Sequence, residues 1–320
     1  MKKLKAGIIG LGDIGKKRLK YLQKHPDKFE LIGYYDVRYQ GSYIPFFSNK
    51  QELLDDVDII FIATPHKFLF PNIVEAIEHD IHVFSEKPPG VNLKETREIY
   101  STLKRHPYVK LKFGFNHRYH QSIIDAYEHG KKLGDLLWLR GVFGKGRLSG
   151  WRANPSISCG GILLGQGIHM LDIFNLFISE RFTNISAFIQ KNKETGLDEN
   201  LVINLSNGKV VANFHSSAVL WKKIFHFSAG YENGYVSVNG FQTSEGQYGP
   251  YDKETLEVYD KGRDVYFKKE YIGEDSWERE IIDFWEDIKK DRQVSWGSIN
   301  QALEVMRLID KIYENAIYCD

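Results

Sequence analysis

The chain has 320 residues, 43 Lys plus Arg against 42 Asp plus Glu, and a formal net charge of +1 at pH 7. At roughly 150 residues per domain the length suggests about two domains, and near-neutrality removes the electrostatic case for a dedicated nucleic-acid binder. Apolar residues at 42%, charged residues at 27%, 28 glycines and only 9 prolines exclude collagen-like and low-complexity chains.

Residues 1–117 alternate continuous β-branched runs with helical patterns, as strands buried on both faces require. The spacing predicts strands over 4–10, 31–36, 58–63, 82–85 and 109–115, with helices near 14–24, 50–55, 68–79 and 92–105. This is the pattern of a doubly wound α/β fold on a parallel sheet. After about residue 118 an amphipathic helix at 122–129 leads to a strand at 136–143 and an apolar helix near 162–178.

That apolar stretch carries Gln166, His169, Asp172 and Asn175, too many polar groups for a lipid-facing span, and is read as a buried helix. Strands follow at 185–192, 199–205, 209–219, 224–231, 235–239, 256–259 and 265–269, separated by turns such as Ser206-Asn207-Gly208 and Glu232-Asn233-Gly234. A mostly antiparallel second sheet is expected, with 240–253 as its longest loop and closing helices over 277–290 and 298–313. The expected domains are 1–118 and 119–320.

Met1-Lys2-Lys3-Leu4 imitates the start of an export signal, but the apolar run ends at Asp13 without a cleavage site. Cys159 and Cys319 are too few for a disulfide framework and too isolated for a zinc site, and Cys159 reads as a packed residue. The expectation is a cytoplasmic protein with no membrane partner, no nucleic-acid partner and no metal.

Gly10-Leu11-Gly12-Asp13-Ile14-Gly15 follows the first strand and opens a helix, the context in which GxGxxG points to a dinucleotide. Gly10 permits the tight turn, Gly12 lets the backbone approach a pyrophosphate, and Gly15 lets helix and strand pack closely. Asp36 ends the second strand about twenty residues on, where a carboxylate can accept from both ribose hydroxyls, favouring NAD over NADP. Arg38 is the one nearby cation that could accommodate a 2′-phosphate. Thr64 and Pro65 end the third predicted strand and should line the cofactor crevice, while Lys16, Lys17 and Arg18 read as a solvated helix face.

Glu86-Lys87-Pro88 follows another strand end, where a lysine can accept or relay an alcohol proton. These motifs, in order with Gly160-Gly161 and Gly167-Ile168-His169, resemble the Gfo/Idh/MocA oxidoreductase family over essentially the whole chain. The resemblance implies an N-terminal Rossmann domain, a C-terminal α/β domain whose large open sheet makes homodimers or homotetramers, and NAD(P)-linked chemistry on sugars, polyols or nucleotide sugars. It places the family's lysine at Lys87 and its active-site histidine at His169, with a cis Lys87–Pro88 bond.

It also implies cofactor contacts at Glu86, Lys87 and Asn116, and a substrate contact at Arg118. Gly165 stands where the family often has Asp, four residues before the histidine. On a regular helix Gln166, His169 and Asp172 share a face, so Gln166 could take over substrate contact, and Asp172 could orient His169 or pair structurally with a cation. Trp151 and Arg152 supply an aromatic face and a fixed cation suited to a charged sugar, against the plainer reading of packing and bridging. The segments Gly114–His120, 151–155 and 160–169 look most like members acting in bacterial surface-polysaccharide pathways. The expected activity is dehydrogenation of a nucleotide-linked sugar with NAD; a free polyol such as an inositol is the alternative substrate, and an NAD-bound regulator without turnover the alternative class.

Overall fold

A strand flanked by apolar neighbours on both faces needs cover on both, and the first part of the chain supplies it by following most of its strands with a helix. The computed structural model describes residues 3–39, 41–243, 246–248, 253–273 and 275–319. The chain begins β1 (Leu4–Ile9), α1 (Asp13–Gln23), β2 (Phe29–Tyr35), β3 (Phe46–Phe47), α2 (Lys50–Leu54), β4 (Ile59–Ile62), α3 (Leu69–Glu78), β5 (His82–Ser85), α4 (Leu93–Arg105) and β6 (Leu111–Phe113). It continues α5 (Gln121–Gly130), β7 (Leu136–Gly144), α6 (Pro155–Ser158), a π-helical turn at Leu163–Gly167, α7 (Ile168–Phe177), β8 (Asn184–Lys191), β9 (Asp198–Ser206), β10 (Val211–Ser217), β11 (Ile224–Tyr231) and β12 (Gly234–Asn239). The last elements are β13 (Phe241–Thr243), β14 (Gly246–Tyr248), β15 (Glu254–Asp260), β16 (Val265–Tyr271), α8 (Ser276–Lys289), α9 (Ile299–Glu314) and β17 (Ala316–Cys319).

Two compact units emerge, Met1–Asn116 with Trp277–Met306, and His117–Ser276 with Arg307–Asp320. The first contains a six-stranded parallel sheet in the order β3-β2-β1-β4-β5-β6, so the strand order reverses direction between β1 and β4. Ligands of doubly wound sheets sit at that switch, beyond the strands' carboxyl ends. Trp277, Ile281 and Phe284 of α8 join the core built by Ile8, Leu19, Phe61 and Phe84. Residues 277–306, assigned from sequence to the 119–320 domain, therefore belong with the first unit, because the apolar face of α8 is buried there.

The second unit carries a nine-stranded mixed sheet ordered β16-β15-β12-β11-β7-β10-β9-β8-β17. β7 and β10 are parallel neighbours, as are β8 and β17; the other pairings are antiparallel. Asn207 builds the β9–β10 turn by accepting from the backbone N–H groups of Lys209 at 3.1 Å and Val210 at 2.8 Å. The segment expected as a loop at 240–253 holds the β13–β14 hairpin, with 244–245 and 249–252 outside the described residues. Cys159, expected to be packed, is exposed and ends α6 at φ 54°.

Candidate active site

In the first unit the crevice begins at the turn from β1 into α1. Gly10 has φ +88°, and a Cβ on Gly15 would lie 2.0 Å from the Gly10 carbonyl oxygen, so both positions need glycine. Gly12 is the N-cap of α1 with nothing within 4 Å of where a side chain would start, leaving the helix N-terminus open to an anion. Asp13 is exposed and Ile14 partly buried in the first turn. Asp36 Oδ2 accepts from the Leu11 N–H at 2.8 Å, tying the end of β2 to the glycine turn, while Oδ1 accepts from the Arg38 N–H at 3.2 Å. The rest of Arg38 is exposed.

Thr64 follows β4, and its Cγ2 lies 3.0 Å from the position of a Gly10 Cβ. Its hydroxyl oxygen is buried with no protein partner, an arrangement that a bound polar group would complete. Open helix N-terminus, acid at the end of β2 and orphaned hydroxyl all fit a dinucleotide, which Gly10, Gly12, Gly15, Asp36, Thr64 and Pro65 would hold.

Lys87, partly exposed, follows β5, and its peptide bond to Pro88 is cis. The neighbouring Glu86 is committed inward: its Oε1 accepts from Arg18 Nε at 2.9 Å and Nη2 at 2.6 Å. Arg18 Nη1 donates to Glu280 Oε2 at 2.9 Å, and the guanidinium lies between the rings of Phe84, at 4.3 Å, and Trp277, at 4.4 Å. Arg18, expected on a solvated face with Lys16 and Lys17, is 1% exposed. Lys16 is exposed, and Lys17 rests over Trp277. Burial pushes the Glu280 carboxyl up to about 7 against the opposing pull of Arg18. Asn116 is buried in the short helical turn Asn116–Tyr119.

In the second unit that turn continues into a buried ion pair. Arg118 Nε donates to Asp172 Oδ2 at 2.6 Å and Nη2 to Oδ1 at 2.7 Å, with a further bond from Nη2 to the Asp172 carbonyl at 3.1 Å. Arg118, expected at the substrate, is thus given to Asp172, which pairs with a cation rather than with His169, locking the turn to α7; burial raises the Asp172 carboxyl pKa, and Arg118 opposes the shift. His169, on α7, is buried with its ring stacked on His117 at 3.9 Å between centroids and 18° between planes. His120 stands edge-on to His117, stacks on Phe241 and shares a hydrogen bond of 2.8 Å between Nδ1 and Glu254 Oε2.

Gln166 lies in the π turn rather than on a regular helix, so the shared face predicted for 166, 169 and 172 holds only for His169 and Asp172 within α7. Both amide atoms of Gln166 are buried without a partner, a costly state unless water or a ligand meets them. Asp198 anchors the entry to this segment, accepting from the N–H groups of Gly161 at 2.9 Å and Leu163 at 2.8 Å and from the Tyr313 hydroxyl at 2.9 Å. Trp151 and Arg152, both partly exposed, occupy the short turn Gly150–Ala153, with the guanidinium 4.8 Å from the indole centroid.

Sequence reasoning missed Arg18, His117 and Asp198. A signal existed for the first, since three consecutive helical residues span about 200° and the last of them falls at the edge of the helix's apolar face.

A parallel sheet with a glycine turn at its switch point is the architecture of a dinucleotide-binding protein. Residues 4–114 match the oxidoreductase family profile with an NAD-binding Rossmann fold, and residues 123–237 match the GFO/IDH/MocA C-terminal domain. The chain belongs to this oxidoreductase family. It is 28% identical over 216 residues to glucose-6-phosphate 3-dehydrogenase of Bacillus subtilis, a match covering 62% of this chain and 61% of that protein. Among solved structures, aldose-aldose oxidoreductase from Caulobacter crescentus superposes with a TM-score of 0.85 at 18% identity, covering 98% of this chain and 97% of that one. UDP-N-acetylglucosamine 3-dehydrogenase from Acidithiobacillus ferrooxidans has a TM-score of 0.80 at 20% identity, covering 99% and 98%. At these identities the structural likeness establishes the fold.

Proposed function

We propose that the chain is an NAD-dependent dehydrogenase that oxidises, or in reverse forms, a secondary alcohol of a sugar carried on a nucleotide. The observation that carries this reading is Lys87 at the end of β5, in the unit that also holds the glycine cradle and the orphaned Thr64 hydroxyl. Bound NAD would supply the hydride acceptor. Lys87 Nζ takes the hydroxyl proton as the alcohol is oxidised, and His169 is the second catalytic residue in this reading. Asp36 supports NAD over NADP: its carboxylate would repel a 2′-phosphate, and the Leu11 N–H holds it in place.

A homodimer or homotetramer through the nine-stranded sheet is part of the proposal, supported by exposed Trp138, Phe188, Val202, Val211 and Ile317 on its strands. A cytoplasmic setting is supported by the exposed thiols of Cys159 and Cys319, which form no disulfide with each other. The test is absorbance at the NADH band with purified protein and NAD⁺ at mildly alkaline pH, across UDP-sugars and free polyols. Signal with a UDP-sugar supports the proposal, signal with polyols alone moves the substrate to an inositol-like compound, and silence despite calorimetric NAD binding favours a regulator.

A further inference from the structure

We propose that a basic and aromatic rim on the loops after β7 and β10, formed by Arg147, Trp221 and Lys222, docks the nucleoside diphosphate of the substrate. This rests on the nucleotide-sugar reading above and assigns the part of the second unit that would recognise the carrier. Trp221 is 73% exposed with φ 61°, a left-handed conformation that bulky side chains rarely adopt. Such conformations persist where the surroundings hold them, and they cluster at ligand clamps. Here the surroundings are ordered: Lys145 donates its N–H to the Ser217 carbonyl at 2.9 Å and accepts from the Leu220 N–H at 3.1 Å, clamping the loop after β7 to the loop after β10. The Arg147 guanidinium lies 5.4 Å from the Trp221 ring centroid.

The charge of these loops is one-sided. Residues 144–153 and 217–224 contain Lys145, Arg147, Arg152, Lys222 and Lys223 and no Asp or Glu, in a chain whose net charge is only +1. The neighbouring acid, Glu199, whose carbonyl accepts from the Ala218 N–H, has its Oε2 bonded by Asn192 Nδ2 at 2.9 Å. Arg147 and Lys222 make no ion pair among the described residues.

Position connects this rim to the sugar-handling residues. β10 ends at Ser217, and a Cβ on Gly167 of the π turn would lie 3.1 Å from Ser216 Oγ and 3.3 Å from Phe214 Cε1. Gln166, with its two unpartnered amide atoms, is the adjacent residue. A diphosphate needs guanidinium and ammonium donors, and a nucleobase needs an exposed π face; the rim presents both.

The full chain saturated with NAD⁺, so that its own nucleotide site is filled, is titrated calorimetrically with UDP, uridine and inorganic pyrophosphate. Trp221→Asn, which tolerates a left-handed backbone, is expected to weaken UDP and uridine roughly tenfold while leaving pyrophosphate unchanged. Arg147→Met should weaken UDP and pyrophosphate and spare uridine, and NAD affinity in both variants should match the parent, reporting intact folds. UDP affinity unchanged in both variants overturns the rim while leaving the nucleotide-sugar reading intact. No UDP binding by the parent, with turnover of a free sugar, defeats both, and tighter binding of a short oligonucleotide than of UDP also overturns the rim.

Discussion

Glu280 is 0% exposed, and burial raises its carboxyl from an ordinary 4.5 to about 7 despite the Arg18 guanidinium 2.9 Å away. An acid that holds its proton more tightly when folded contributes its full stabilisation below the unfolded value. That contribution falls as pH rises from about 4.5 to about 7 and is flat beyond. Between pH 5 and pH 8 this one group should cost roughly 2–3 kcal/mol of stability, since each tenfold change in proton affinity is worth a little over 1 kcal/mol. Glu280→Gln keeps the shape and an acceptor for Arg18 Nη1 but cannot titrate. Any fixed cost of its extra amide donor is the same at both pH values and cancels in the comparison. Urea unfolding of both proteins at pH 5 and pH 8 should therefore show the variant gaining roughly 2–3 kcal/mol on its parent as pH rises. Parallel stability curves would mean that Arg18 keeps Glu280 ionised throughout, and the argument that burial outweighs the ion pair would fail.

Lys87→Met should abolish turnover while calorimetric NAD affinity stays within a few-fold, and near-normal activity would remove the lysine from the chemistry. Arg118→Met strands the Asp172 carboxylate in a buried site and should destabilise by about 3–5 kcal/mol in denaturant titration, with Arg118→Met/Asp172→Leu recovering most of the loss. Gly15→Ala puts a methyl 2.0 Å from the Gly10 carbonyl oxygen, so NAD affinity should fall at least roughly tenfold in calorimetry as β1 and α1 are forced apart. Asp36→Ala removes both the anchor of the glycine turn and the charge facing a 2′-phosphate, and the ratio of NADP to NAD turnover should rise.

What the sequence made legible follows the range of the interactions involved. The parallel sheet could be read within a residue or two because each strand is a continuous apolar run, while β3, only two residues long, carries no period to read. The doubly wound order and the mostly antiparallel second sheet follow from local patterns of the same kind, and the family's motifs sit at the ends of those strands. The side chains that position the motifs are set by pairings of long sequence separation. Arg18 reaches Glu86 and Glu280, 68 and 262 residues away, and no local pattern announces either partner.

The Lys16-Lys17-Arg18 run nevertheless contained a usable signal. Successive helical residues turn by about 100°, so a run of three charges spans about 200° and its end residue falls at the edge of the apolar face of a half-buried helix, where a charge turned inward demands a buried counter-charge. In this chain the counter-charge is Glu86, the residue before Lys87. The helix that begins at the glycine cradle is thereby bonded to the strand end that presents the lysine, a coupling within one unit that the bare motif Glu-Lys-Pro does not reveal. The π turn is the complementary case: α-helical spacing predicts one face for Gln166, His169 and Asp172, but the backbone at Gly165 and Gln166 winds more loosely, so only the regular helix from Ile168 onward keeps the predicted relation between His169 and Asp172.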